Sequence, residues 1–220
     1  MSPATSRVYL ELGPKKVFAC SVDWPGLCRV RRTEELALDA LRDYEPRYGP
    51  IAERAGLAFR LGELTVVERA NGGSTTDFGA PEAIPELDHA PVDAEEAVRG
   101  AALLRAAWAA FAEVAAASPA ELRKGPRGGG RDRDKMVAHV IEAERAYARK
   151  VGVRHRPFAP TDAAPLAALR DELVDVLGRP SDGAPLAPRG WPARYAVRRI
   201  VWHVLDHLWE MQDRAEPHRH

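Results

Sequence analysis

The stretch IVWHVLDHLWEM, residues 200–211, decides how the chain is read. It is almost wholly apolar, yet it carries His203 and His207, four residues apart. At 3.6 residues per turn, the helix predicted over 192–214 has three stripes. Val197, Val201, Val204, Leu208 and Met211 form an apolar stripe. Ala196, Ile200, His203, His207 and Glu210 form a second beside it, and Trp202, Leu205 and Trp209 a third. A helix apolar over so much of its circumference is buried on more than one side. A helical bundle covers only part of it, so Trp202 and Trp209 are expected beneath the N-terminal part of the chain.

Working back from that helix, three more amphipathic segments appear. Residues 93–117 carry Ala101, Leu104, Trp108, Phe111 and Ala115 on one stripe. Residues 133–151 carry Met136, His139, Val140, Ala143 and Tyr147, and residues 164–177 carry Leu166, Leu169, Leu173 and Val176. Polar, Gly- and Pro-rich stretches at 123–133 and 179–192 separate them. Four such helices predict a four-helix bundle over 91–215, followed by a polar tail at 216–220.

The first 70 residues read differently. VYLEL (8–12), KVFACSV (16–22), CRVRR (28–32) and LTVVER (64–69) are strand-type runs, with Gly13-Pro14 and Trp24-Pro25-Gly26 as turn chemistry. Thr33 caps a helix that begins Thr-Glu-Glu-Leu and is expected to run through Tyr48. Residues 71–90 form a long connection; an ordered loop against the second domain and a flexible linker are the alternatives for 71–85. The fold class is therefore α+β: a small α/β domain over 1–70, then the bundle.

The chain has 220 residues, 45% hydrophobic and 29% charged, ample for a packed core. Lys+Arg and Asp+Glu number 32 each, which leaves no overall electrostatic footprint for nucleic acid or an anionic membrane. Neither a signal pattern nor a run of about eighteen apolar residues is present, so a cytoplasmic protein is expected. Cys20 and Cys28, with seven residues between them, are expected as reduced thiols. High Ala, Arg and Pro content suits a high-GC, actinobacterial host.

His203 and His207 project from one helical face and are spaced to share a cation. His139, on the inner stripe of the second helix, supplies a third ligand. Burying three imidazoles without partners costs on the order of a few kcal/mol each, and a metal at their meeting point removes that cost. Glu210, one turn beyond His207, is a fourth ligand, a base or a surface acid; Glu142 reads as a surface acid. Asp206 orients a ligand imidazole or pairs with an arginine. His89, His155, His218 and His220 are expected at the surface.

A helical His139 followed by a late His203-x-x-x-His207, within RYAVRRIVWHVLDHLWEMQDR, resembles the DinB-like metal-binding superfamily over roughly residues 90–215. The resemblance implies a divalent metal, zinc or nickel, on His139, His203 and His207. It further implies activation of a low-molecular-weight thiol of the mycothiol type, with the open coordination positions facing a small-molecule substrate, and a homodimer. VFACSVDWPGLCRVRRTEELALDAL is similar to the HicB-like α/β pattern at Pro25-Gly26 and Thr33-Glu34-Glu35. That implies a lid or interaction domain. Two functional readings follow: a metal-dependent thiol S-transferase or isomerase, with substrate entering where the bundle meets the α/β domain or the Thr75-Thr76-Asp77 loop, and a non-catalytic metal-binding or protein-interaction module.

Overall fold

The computed structural model describes residues 5–125 and 129–215. The polar tail at 216–220, with His218 and His220, lies outside the described residues. The N-terminal part is a four-stranded sheet of β1 (Thr5–Leu12), β2 (Val17–Ser21), β3 (Cys28–Arg31) and β4 (Glu63–Asn71), in the order β3-β2-β1-β4. β2 pairs antiparallel with both β1 and β3, whereas β4 pairs parallel with β1. A parallel neighbour needs a crossover, and α1 (Glu34–Asp43) and α2 (Glu45–Arg54) form it.

Thr33 caps α1 as its sequence position suggests, its side chain accepting from the Leu36 amide. The single helix expected through Tyr48 is instead two. Pro46, in the first turn of α2, has no N–H to donate to the carbonyl four residues back and its ring crowds that carbonyl, so the helical ladder breaks at Tyr44 and restarts.

The period-2 alternation of the strands buries both sheet faces. Val8, Leu10, Val17 and Ala19 join the main core with Ala37, Leu41, Tyr48 and Ile51. Tyr9, Phe18 and Cys20 pack with Trp202 on the opposite face. Cys20 and Cys28 sit directly opposite each other on β2 and β3, with Cα atoms 4.1 Å apart, and are joined as a disulfide. This corrects the expectation of two free thiols: sequence spacing hides a register that puts the sulfurs side by side.

Four long helices follow: α4 (Ala94–Ala117), α5 (Arg133–Lys150), α6 (Ala163–Leu177) and α7 (Ala193–Ala215). Asp93 and Glu96 form a reciprocal capping box that fixes the start of α4. α7 lies against α4 and α5, and α6 packs on α4, α5 and α7. Their contact surfaces supply Leu103, Leu104, Met136, Val140, Leu169, Leu173, Ile200 and Val204 to the core. Among the described residues α4 alone is long and apolar enough, by length and composition, to cross a membrane; here its Leu103, Leu104, Trp108 and Phe111 are buried in the protein core.

The third stripe of α7 meets the sheet layer as its apolarity demands. Trp202 is 4% exposed and stands edge-on to Phe18; Trp209 is 2% exposed and stands edge-on to Tyr44. The connection after β4 contains a short helix, α3 (Ser74–Phe78), and touches α7. Tyr195 donates to the Glu82 carbonyl at 3.1 Å, and Arg199 to the Pro81 carbonyl at 2.6 Å. Of the two alternatives for that stretch, the loop lying against the helices is the one observed.

Candidate metal centre

α5 and α7 bring His139, His203 and His207 together. The two segments are remote in sequence, yet Nε2 of His139 lies 3.3 Å from Nε2 of His203. Ring centroids are 5.1 Å apart for His139 and His203, 4.9 Å for His139 and His207, and 4.7 Å for His203 and His207. One nitrogen from each ring lies within 4.8 Å of the other two. Among the described residues this trio is the one group of His, Cys, Asp and Glu side chains so arranged.

The environment of His139 and His203 favours neutral rings. His203 is 6% exposed, and burial first, then the His207 and His139 imidazoles, hold its pKa well below the usual 6.5. Burial lowers His139 too, with His207 adding to it. Neutral imidazole is the ligating form. The Nδ1 of His203 is buried without a hydrogen-bond partner.

The donor set fits a divalent cation. Two nitrogens bound to zinc at about 2.05 Å in a tetrahedron stand about 3.3 Å apart, the separation seen for His139 and His203. His207 has its Nδ1 engaged by Glu210 Oε2 at 2.9 Å, which leaves Nε2 to face the other two rings. Glu210 also accepts from Arg214 at 2.8 Å. The His207 hydrogen bond, then the Arg214 contacts, hold its carboxylate below the ordinary range despite partial burial. The observed contacts make Glu210 a carboxylate that holds the ring of a candidate ligand.

Asp206 takes the other role considered for it. Its Oδ1 accepts from Arg29 of β3 at 3.1 Å, and among the described residues no hydrogen bond joins it to a candidate ligand imidazole. Glu142 is exposed, as expected. His89 is exposed, on a 3-10 turn at Glu86–His89. His155 corrects its expectation: its side chain is 15% exposed and faces Glu172 at 3.0 Å, because the segment after α5 folds back toward α6.

The Thr75-Thr76-Asp77 segment, read as a substrate-facing loop, is occupied with holding the fold. Thr76 donates to buried Glu11 at 2.5 Å, and Asp77 accepts from the Lys15 and Lys16 amides. Glu11 also accepts from the Glu82 and Ala83 amides, so the loop wraps a buried carboxylate. Tyr147, noted only as part of a stripe, packs edge-on to His203 at 5.5 Å, and Trp191 lies against Tyr147 at 5.2 Å. The i, i+8 spacing of His139 and Tyr147 on one helical face was the signal for that neighbour.

Comparison of the chain with family models, with curated proteins and with solved structures finds no match.

Proposed function

We propose that the chain is a divalent-metal protein whose ligands are His139, His203 and His207, and that it uses the cation in thiol-dependent group transfer or isomerisation, as the DinB-like resemblance suggests. The convergence of three imidazoles from two helices is the observation that carries the first part of this reading. A cation held there supplies Lewis acidity, which lowers the pKa of a coordinated thiol. The chain's own contribution is positional. α5 and α7 fix the three rings, Glu210 holds Nδ1 of His207, and burial keeps His139 and His203 unprotonated.

The nucleophile has to come from outside the chain. Cys20 and Cys28, the only cysteines, are bonded to each other. A small thiol fits that need: its S–H proton passes to solvent, sulfur bonds to an electrophilic carbon, and the leaving group departs with its electron pair. This reading places the protein in the cytoplasm, where such thiols are kept reduced. A disulfide there has to be shielded, and Cys20 and Cys28 are each 1% exposed.

A second reading, a structural metal site in an interaction module of the HicB-like and bundle type, is favoured by enclosure. His203 is 6% exposed, and closed sites are the structural kind. One assay separates the two. Tag-free protein is given zinc or nickel, a small thiol and a generic electrophile such as 1-chloro-2,4-dinitrobenzene. The catalytic reading requires metal-dependent thiol consumption that His203→Ala abolishes. Metal binding without turnover leaves the structural reading.

A further inference from the structure

A cavity of about 210 Å³ opens where the turn after β2 meets the N-terminal ends of α4 and α7. It shares no residue with the histidine trio. Val197 and His203 are six residues apart on α7, about 9 Å along its axis. The cavity exceeds the ~150 Å³ that accommodates a benzene molecule inside a protein. Its floor is apolar, built from Ala97, Gly100, Leu177 and Val197 among others.

Its rim is charged and unbalanced. Arg7, Arg99 and Arg194 face Asp23 and Glu96. Arg7 is committed to Asp23, with Nε and Nη2 at 2.9 and 2.6 Å from Oδ1. Arg194 holds Glu96 with two bonds of 3.0 Å. That hydrogen-bonded pairing keeps the Glu96 carboxyl below its ordinary range, so the pair is ionised near neutrality. Arg99 is left over. Its guanidinium lies over the Trp24 ring at 4.4 Å and makes no ion pair among the described residues. Nε of Arg194 is buried without a partner. The rim therefore carries one uncompensated positive charge above an apolar floor.

We propose that this cavity binds a small monocarboxylate with a flat or short apolar body, its carboxylate on Arg99 and its body against Gly100 and Val197. Guanidinium and carboxylate match in charge and geometry, and partial enclosure strengthens the pair over its value in water. The apolar body replaces water along the floor. Gly100 is what keeps the floor deep: a Cβ there would already touch the Val197 methyls at 3.4 Å.

The test uses the full chain and two probes of nearly equal shape, benzoate and benzyl alcohol, in calorimetric titration. A Kd on the order of 1 mM or tighter is expected for benzoate, with benzyl alcohol about tenfold weaker. Arg99→Gln should remove the preference for the anion, and Gly100→Leu should remove binding of both probes. Arg99 is partly exposed at the rim, so its variant is expected to fold and decides the matter even if Gly100→Leu does not. Absence of saturable benzoate binding, equal affinity for the two probes, or benzoate affinity unchanged in Arg99→Gln overturns the proposal.

Discussion

His139 and His203 place their Nε2 atoms 3.3 Å apart, although one ring belongs to α5 and the other to α7. Two neutral imidazoles meet this way either by sharing a proton or by sharing a cation. The third ring, His207, with its Nδ1 turned away to Glu210, favours the cation.

The Glu210 contact predicts a graded effect. Glu210→Gln keeps a group beside His207 Nδ1 but removes its negative charge. Metal affinity should fall about 10- to 100-fold with the fold unchanged. Competition with a chromophoric chelator reads this directly. Affinity equal to that of the unmodified chain would mean that Glu210 does not tune His207.

Acid dependence follows from the depressed histidines. Folded His139 and His203 have pKa values below the ordinary 6.5, so in the window below 6.5 the unfolded chain binds more protons than the folded one. Their contribution to metal-free stability is full above that value and is lost as pH falls through the lowered folded values. Denaturant titrations across pH 7 to 4 should show this loss, and His203→Phe should flatten it. A steeper slope in His203→Phe would reverse the assignment.

Glu144 on α5 is 0% exposed and takes two 3.0 Å bonds from Arg170 on α6. Burial raises its pKa, with Arg170 opposing. Arg170→Ala strands a buried carboxylate and should cost about 3 kcal/mol. The double replacement Glu144→Leu with Arg170→Met should recover most of it. Equal losses in the single and double variants would mean that packing, not charge, is what Arg170 supplies.

Gly26 joins the sheet layer to α7. Its φ is +92°, and a Cβ there would lie 2.4 Å from Val201 Cγ1. Gly26→Ala should destabilise by about 2 kcal/mol or more, from strain and overpacking together. Urea denaturation measures it; a change below about 0.5 kcal/mol would show that the turn yields freely.

The helices were legible because their ends and faces are written locally. Asp93 with Glu96 marks a start, and the all-round apolarity of α7 announces cover on several sides, which Phe18 and Tyr44 provide. His203 and His207 share a face by spacing alone. That His139 would reach them was an inference from its stripe, since contact between α5 and α7 is set by packing across the core.

What stayed hidden depends on partners distant in sequence. The Cys20–Cys28 bond follows from strand register. The Glu144–Arg170 pair joins two helices at positions outside the apolar stripe of either. The role of Asp206 is decided by Arg29, far away on β3. The break at Tyr44 was readable from Pro46, whose missing N–H interrupts the helical ladder whatever the periodicity.

Metal content measured on tag-free protein, after saturation with zinc or nickel and exhaustive dialysis, tests the central claim most directly. About one ion per chain is expected for the natural sequence and less than about a tenth as much for His139→Ala, His203→Ala and His207→Ala, each still folded by circular dichroism. An unloaded natural chain, or variants that retain the ion in full, would contradict it.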